Sequence, residues 1–521
     1  MVIRLFFLCL LLFFFNSNVF TQSLNFGVSL EEISIENSPS LHSGAYAKWD
    51  NKWILIGGRT NGLHGFLPPF AFPSSGINNA IYIVDPLNNQ TISTSTNVLP
   101  NQIEEAITCS NMQFYQQDSI LYMLGGYGWS DSINDFRTFN TLTIIDIPSL
   151  VSNIEQQVDI NACFRQISDS VLAVCGGALQ KIDSTFYLVF GHKFDGRYDQ
   201  KIQGGFFTQE YTNQIRTFKL QDDGVNALLI DYNFIEDTSN FHRRDYNLVP
   251  QFFNDNSYGF TAFSGVFQYG INIPYFNLVD ITPFNYSVND SFYHHLANYH
   301  CAVMPLYDGN TMHTVFFGGS SMYYIDSISN SMLLDSLVPF VNTISVVSRY
   351  ADGTIIENSL SNKMPGLLGT NAYFIPNENI TLQGGIIDLN NFSSDSLHVG
   401  YIIGGIKSPM PNISKIDASM SEASSHIYKV YIQNTVNIDE YDTPIQFTCY
   451  PNPTSDNIII DIVPYQESKI EIYNSKGVLL QSISSESEKT YINTIELKNG
   501  IYLVKVGNKS YTAVKKVMVI N

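Results

Sequence analysis

The chain has 521 residues, with 47 Asp and Glu against 27 Lys and Arg, for a formal charge of -20. So acidic a surface repels phosphate backbones and anionic headgroups, which speaks against nucleic acid and anionic lipid as partners. Only 14% of the residues are charged and 13% are aromatic, the profile of a β-rich extracellular protein rather than of a helical cytosolic enzyme.

At the N-terminus, Arg4 precedes an unbroken apolar run from Leu5 to Phe15, and polar Asn16-Ser17-Asn18 leads to a cleavable junction near Thr21/Gln22. Residues 1–21 read as a secretory signal peptide, too short for a transmembrane span. Cys9 lies inside the apolar run rather than after a small residue at its end, which argues against a lipoprotein anchor. No later stretch reaches the roughly eighteen apolar residues of a membrane helix, so no membrane span is expected.

Residues 40 to 433 carry a repeat. Apolar runs end in a glycine pair at Trp53-Ile54-Leu55-Ile56-Gly57-Gly58, Leu121-Tyr122-Met123-Leu124-Gly125-Gly126, Val315-Phe316-Phe317-Gly318-Gly319 and Tyr401-Ile402-Ile403-Gly404-Gly405. Degraded copies stand at Tyr187-Leu188-Val189-Phe190-Gly191 and Phe260-Thr261-Ala262-Phe263-Ser264-Gly265. A further apolar strand is expected after each, several ending in aspartate: Ile81 to Asp85, Leu142 to Asp146, Ile215 to Leu220, Phe276 to Asp280, Met322 to Asp326 and His426 to Tyr431. The final glycines are spaced by 68, 65, 74, 54 and 86 residues, so the six units carry long insertions. Long i, i+3, i+4 apolar patterns free of Gly, Pro or β-branched residues are missing, and only Ser149 to Gln157 and Ser419 to Ser425 suggest short helical turns.

This grammar resembles the kelch repeat, in which each unit is one four-stranded blade of a β-propeller. The resemblance implies an all-β fold with a six-bladed kelch-like β-propeller over residues 22–432. A large β-sandwich assembly or a β-helix would also place glycines at strand ends, although a solenoid requires shorter and more even repeats. If the units close on themselves, the strand Leu30 to Ile35 should complete the sixth as its outer edge, burying Ile33 and Ile35 or their alternates.

Polar residues that follow the apolar strands are the candidate ligand-binding set. They are Arg59 and His64, then His192, Asp195 and Arg197, then Arg243 and Arg244 in the cluster His242 to Asp245. In a chain with so few basic residues, arginines in such loops offer forked donors to a carboxylate or a sulfated sugar. The same arginines could instead tie loops together through Asp195, Asp245 and backbone carbonyls. The insertion Thr60 to Asn79, with Pro68-Pro69-Phe70-Ala71-Phe72-Pro73, could wall a sugar-binding pocket on that face.

Once Cys9 leaves with the signal peptide, Cys109, Cys163, Cys175, Cys301 and Cys449 remain, an odd number that reads as buried thiols. His294, His295, His300 and His313 read as packed histidines, since the first two are adjacent and point to opposite faces of a strand. Neither a Cys-x-x-Cys spacing, a zincin motif nor a Ser-His-Asp arrangement occurs, so no catalytic residue, metal or cofactor is assigned. Copper-radical sugar oxidases also use kelch propellers, but nothing here aligns with their Tyr/His set. Asp-Ser-apolar triplets at Asp118, Asp131, Asp169, Asp335 and Asp395 resemble an O-glycosylation signal of Bacteroidota.

After a polar, acidic linker over 433–447, the chain ends in strands and turns over 448–521 suited to a small β-sandwich. Four pieces occur in order: Tyr450-Pro451-Asn452-Pro453, the strand and turn Ile470 to Gly477, the block Leu497 to Val506 containing Gly500 and Tyr502, and the basic-apolar end Lys515-Lys516-Val517-Met518-Val519-Ile520. Together they resemble the type A C-terminal sorting domain of type IX secretion cargo. That resemblance implies export through the periplasm and outer membrane by the type IX machinery, leaving the protein secreted or at the cell surface. With repeats present and no catalytic constellation, a glycan- or protein-binding module is the reading of choice. A secreted carbohydrate-active enzyme and a structural matrix protein are the alternatives.

Overall fold

A computed structural model describes residues 24, 26–66, 70–198, 207–283, 285–326, 331–391, 396–434, 447–462, 467–475, 477–485, 487–507 and 512–520. The signal peptide, most of the linker, Pro68, Pro69, Asp199 and Asp395 lie outside these residues. The chain divides into two compact units, Met1–Thr435 and Val436–Asn521. Among the described residues no helix is long and apolar enough to cross a membrane.

Among the described residues, the first unit holds six sheets, each built on four antiparallel strands that pair in order. The first comprises Ala45–Trp49, Lys52–Ile56, Ala80–Asp85 and Gln90–Ser95, and the second Gln113–Gln117, Ile120–Leu124, Thr141–Asp146 and Phe164–Ser168. The third comprises Ala178–Ile182, Thr185–Val189, Gln214–Asp222 and Ala227–Glu236, and the fourth Asn247–Phe252, Tyr258–Phe263, Leu278–Ile281 and Tyr286–Asn289. The fifth uses Ala302–Tyr307, Met312–Phe317, Thr343–Arg349 and Ile355–Lys363. The sixth uses Leu367–Pro376, Ser396–Ser408 and Ile427–Asn434, and its outer strand is the N-terminal Phe26–Ile33.

The N-terminal strand thus closes the last sheet, as the sequence suggested, but it lies nearer the N-terminus. Phe26 and Val28 are its buried residues, with Val28 opposite Ile432, whereas Ile33 is half-buried and Ile35 is buried just beyond the strand. Asn362, on the outer strand of the fifth sheet, donates its side-chain amide to the Val28 carbonyl at 2.7 Å.

Strand alternation sends the two faces of each sheet to different neighbours. In the first sheet Ile54 and Ile56 pack with Leu121 and Met123 of the second, whereas Trp53 and Leu55 pack with Ile375 and Ile403 of the sixth. Further apolar clusters join the second sheet to the third, the third to the fourth, the fourth to the fifth and the fifth to the sixth.

Every second strand ends in two successive left-handed residues, including the degraded repeats: Phe190 and Ser264 hold φ of 50° and 57° where the other units have glycine. Glycine is the low-cost residue there, since L side chains at such φ cost roughly 1–2 kcal/mol. At Gly58 a Cβ would also stand 2.4 Å from the His42 carbonyl oxygen. The turn frees the second N–H for the next sheet. Gly58 donates to Cys109, Gly126 to Val174, Gly191 to Arg243, Gly265 to Asn298, Gly319 to Leu368 and Gly405 to Leu41, at 2.8–3.2 Å.

Two expectations are corrected. The apolar run at Met322 to Asp326 is not a strand of the fifth sheet. Its Tyr323–Ile325 pairs with Met332–Leu334 in a separate hairpin, because Thr343–Arg349, buried at all but its last residue, takes the place beside Met312–Phe317. Helix is also more prominent than expected: Asn101–Ile107 is helical, and Ile147–Gln156 extends the turn predicted from Ser149. The second helix buries Ile147, Leu150, Val151 and Ile154, and the Asp146 side chain caps it by accepting from the Ser149 N–H.

All five described cysteines are free, and four of them are buried. His294 and His295 lie outside any strand and, contrary to the expected opposite faces, both face Glu357, with Nδ1–oxygen distances of 2.9 and 3.6 Å. Glu357 also accepts the backbone N–H groups of His295 and Leu296. Burial would raise its pKa, but His294 and these donors hold it down to about 2.

In the second unit, Phe447–Tyr450, Asn457–Ile462 and Lys489–Asn493 form one sheet; Leu479–Ser484, Lys469–Asn474, Gly500–Gly507 and Thr512–Val519 form another. A shared core of Ile458, Ile460, Ile462, Ile470, Ile472, Val504, Val506, Val517 and Val519 joins them.

The N-terminal strand gives a direct test of the sheet closure. Val28→Asp places a charge at a position 1% exposed, and is expected to cost about 3 kcal/mol or more in chemical denaturation. A midpoint within error of wild type would show that the strand contributes nothing to the last sheet.

Candidate functional site

A second set of backbone hydrogen bonds links the starts of five first strands and Asn371, inside the sixth sheet's first strand. Asn111 N–H donates to the Ser43 carbonyl, Gly176 to Asn111, Asp245 to Gly176, His300 to Asp245 and Asn371 to His300, at 2.7–2.9 Å. The Asn371 side-chain amide then returns to Ser43 Oγ at 2.9 Å. Ser43, Asn111, Gly176, Asp245 and Asn371 all hold positive φ, a conformation that Asn, Asp and Gly tolerate best. These six residues form a collar and border one cavity of about 260 Å³. Tyr46, Phe114, Gln180, Pro250, Val303 and Tyr373, one from the first strand of each sheet, are among its other walls.

Arg244 adjoins the collar through its neighbour Asp245, with which it forms an ion pair. Its Nε donates to the Tyr211 hydroxyl at 3.2 Å, and its guanidinium lies 5.6 Å from the Phe267 ring centre. Burial works against the Arg244 charge, but Tyr211 and Asp245 more than offset it, holding the pKa above the ordinary arginine range. Tyr299 stands in the same group; burial raises its pKa, with Arg244, Asp245 and Tyr211 as its charged and polar neighbours. Tyr211 stacks on His242 at 3.6 Å, and His192 packs against Tyr211 at 5.6 Å.

The structure brings His64 to the same place from another loop. Burial, with Arg244 and Arg59 nearby, lowers its pKa to about 4. Its ring stacks on Phe72 and meets Tyr198 edge-on, with centroids 4.3 and 5.5 Å away. His192 is likewise driven well below its ordinary pKa by burial, with Arg244 and His242 adding to the effect, and its Nδ1 meets Gln209 Nε2 at 2.7 Å. His42 and His300 are also lowered to about 4, chiefly by burial. The histidines with lowered pKa are therefore neutral near pH 7, and Arg244 is a cation beside His64 and His192.

Other residues of the predicted set serve as ties. Arg243 is fully buried, and its guanidinium donates to the carbonyls of Asn240, Ser264 and Asn277 and to Asn277 Oδ1, with Tyr275 beneath it. Arg59 is 5% exposed; it donates to Asn61 Oδ1 and the Pro73 carbonyl, and it borders a separate cavity of about 210 Å³ with Trp129 and Glu105. Asp195 accepts from Thr138 N–H and pairs with Lys193 at 3.0 Å. Arg197 lies over the Phe136 ring at 5.2 Å. Among the described residues, no group of three or more His, Cys, Asp or Glu is placed to hold a metal ion.

Sequence reading missed Tyr211, Tyr299 and the collar residues Ser43, Asn111 and Asn371. A usable signal was present, because five collar residues stand two positions before a first strand and five of the six are Asn, Asp, Gly or Ser of the left-handed-tolerant kind.

In the second unit the four sequence pieces converge. Asn452 donates its side-chain amide to the Lys516 carbonyl and accepts from Met518 N–H, both at 2.9 Å, so that the Tyr450-Pro451-Asn452-Pro453 segment covers part of the last strand's edge. The Tyr450 hydroxyl reaches Asp461 at 3.1 Å. Gly477, at φ 78°, turns the chain between Lys469–Asn474 and Leu479–Ser484. Gly500 opens the strand Gly500–Gly507, whose Tyr502 is buried with its hydroxyl on the Lys498 carbonyl. Lys515 stands 5.6 Å from the Phe447 ring, while Lys516 is exposed opposite Leu503.

Two outcomes follow from this geometry. Arg59→Ala is expected to lower stability by about 2 kcal/mol, since it strands buried acceptors, whereas Arg197→Ala should stay within about 0.5 kcal/mol of wild type; thermal melts of both variants check this. His42, His64 and His300 have pKa values below their unfolded values, so their contribution is intact above about pH 6.5 and is lost as pH falls towards 4. Urea midpoints from pH 7 to 4 should fall by at least about 3 kcal/mol in stability, with a shallower slope in His42→Asn.

A search of curated proteins returns no match. Among solved structures, one described as "Structure of YjhT" is 12% identical, with a TM-score of 0.42 over 76% of this chain and 99% of that one. A second, described as a "Novel fungal alcohol oxidase with catalytic diversity among the AA5 family, in complex with copper", is 9% identical, with a TM-score of 0.37 over 95% of this chain and 99% of that one. Residues 448–520 match the family model of the secretion system C-terminal sorting domain, and the chain is accordingly an exported protein, secreted or held at the cell surface by the type IX route.

Proposed function

We propose that residues 22–432 form a six-bladed, kelch-like β-propeller that follows a signal peptide over 1–21 and is joined by a linker over 433–447 to the sorting domain, and that it binds a glycan at the Arg244 cluster beside the collar. The ring is supported by the collar that returns to Ser43 and by six apolar clusters linking each sheet to the next and the last to the first.

The observation that carries the binding reading is Arg244, set among Tyr211, Phe267, Tyr299 and His64 beside the collar of the 260 Å³ cavity. Aromatic faces and one forked cation suit the apolar face and the polar rim of a sugar. A protein ligand is the second reading, favoured by the loop residues Tyr269 and Ile271, exposed at 72% and 51%.

A glycan array with the mature protein tests the proposal. Arg244→Gln combined with Asp245→Asn removes both charges together, so neither is left uncompensated. Binding to the best array ligand should weaken about tenfold or more, with the melting temperature nearly unchanged. An array without hits, or a double variant that binds as wild type, would overturn the assignment.

A further inference from the structure

The sorting domain differs in charge from the rest of the chain. Between residues 448 and 520 there are eight Lys against seven Asp and Glu, while the remainder has 19 Lys and Arg against 40 Asp and Glu. Its two sheets also differ on their outward faces. Asn457–Ile462 and Lys489–Asn493 turn outward Asn457, Ile459, Asp461, Lys489, Tyr491 and Asn493, a largely polar set, since Ile458, Ile460 and Ile462 take the inner positions.

The other sheet turns apolar residues outward. Ile501, Leu503, Val514 and Met518 are 39–53% exposed, while their sequence neighbours Tyr502, Val504, Val517 and Val519 are buried. Strand register sets them side by side: Tyr473 opposite Leu503, Ile501 opposite Met518, and Leu503 opposite Lys516. An apolar stripe thus crosses three adjacent strands. Lysines rim it. Lys469 and Lys505 lie 2.9 and 3.4 Å from Glu471, whose pKa they and Tyr473 lower to about 2, while Lys516 adds a further positive charge. Three lysines against one carboxylate leave the face net positive. Contiguous exposed apolar surface of this kind marks an interaction site, and the positive rim selects for an acidic counterpart.

We infer that this face, centred on Leu503 and rimmed by Lys505 and Lys516, docks the export machinery through a partner protein surface that is apolar at its centre and acidic at its edge. The inference rests on the domain's sorting role and adds which of its surfaces is read. A domain of this charge on a chain that is otherwise strongly acidic also gives such a partner a means of discrimination, because the partner's acidic rim would be repelled by the rest of the protein.

The test uses the full-length chain in a host with a working type IX pathway, comparing medium and surface fractions with the periplasm. Leu503→Glu, and separately Lys505→Glu with Lys516→Glu, should cut export about tenfold and leave the protein in the periplasm. Tyr491→Ser, on the opposite outward face, should be exported as wild type. Export of the two face variants at the wild-type level overturns the inference, as does an equal loss with Tyr491→Ser. Should a face variant melt at lower temperature, Leu503→p-benzoylphenylalanine replaces it: light-induced crosslinking to a machinery component supports the inference, and crosslinking to a second copy alone overturns it. Deletion of residues 448–520 separates the two levels, since continued export of that truncation would refute the sorting role itself, whereas blocked export with unaffected face variants refutes only the face.

Discussion

The first unit depends on one constraint, the meeting of the six sheets' first strands around a common collar. Each N–H from Asn111 to Asn371 needs a carbonyl that only the preceding sheet supplies, and the last link, from the Asn371 side chain to Ser43, returns to the beginning. Backbone groups buried together are costly when unpaired, so the sheets cannot rotate or slip independently without losing bonds on both sides. The left-handed residues follow from this requirement. After each second strand, and at five of the six collar residues, the chain reverses its donor direction within two residues by taking positive φ.

The same constraint shapes the candidate site. Strands that converge at their starts bring short loops together there, so residues distant in sequence, His64, Tyr211, Arg244 and Tyr299, share one environment. Crowding desolvates them, which explains why His42, His64 and His300 favour the neutral form and why Arg244 needs Asp245 beside it. Elsewhere the scarce arginines satisfy loop carbonyls. Arg243 is the clearest case, a fully buried guanidinium spent on backbone carbonyls and one side-chain amide. An arginine in a loop of an acidic protein therefore indicates a need for donors, and only its partners distinguish a tie from a ligand contact.

The sorting domain rests on a different balance. Its core is small and almost wholly Ile and Val, and Asn452 completes it by pairing with the backbone at Lys516 and Met518. The first and last of the four sequence pieces thus meet across the domain. Covering part of an edge strand in this way reduces the unpaired backbone available to other chains.

By itself, the sequence determined the all-β class, the six repeated units, the sorting domain and the outermost position of the N-terminal strand. Each is legible because strand alternation, glycine at positive φ and terminal motifs are local in the chain. The tertiary structure alone decided that Phe190 and Ser264 adopt the glycine geometry, that Tyr323–Ile325 leaves the fifth sheet, and that Arg243 is a tie while Arg244 joins Tyr211 and Asp245 beside the collar. Adjacent residues with the same side chain acquired opposite roles because the backbone turns between them. Arg243 N–H bonds within its own loop, to Phe241, and Arg244 N–H to Val266 in the next, so each guanidinium follows a different neighbour, a long-range fact that no local pattern encodes.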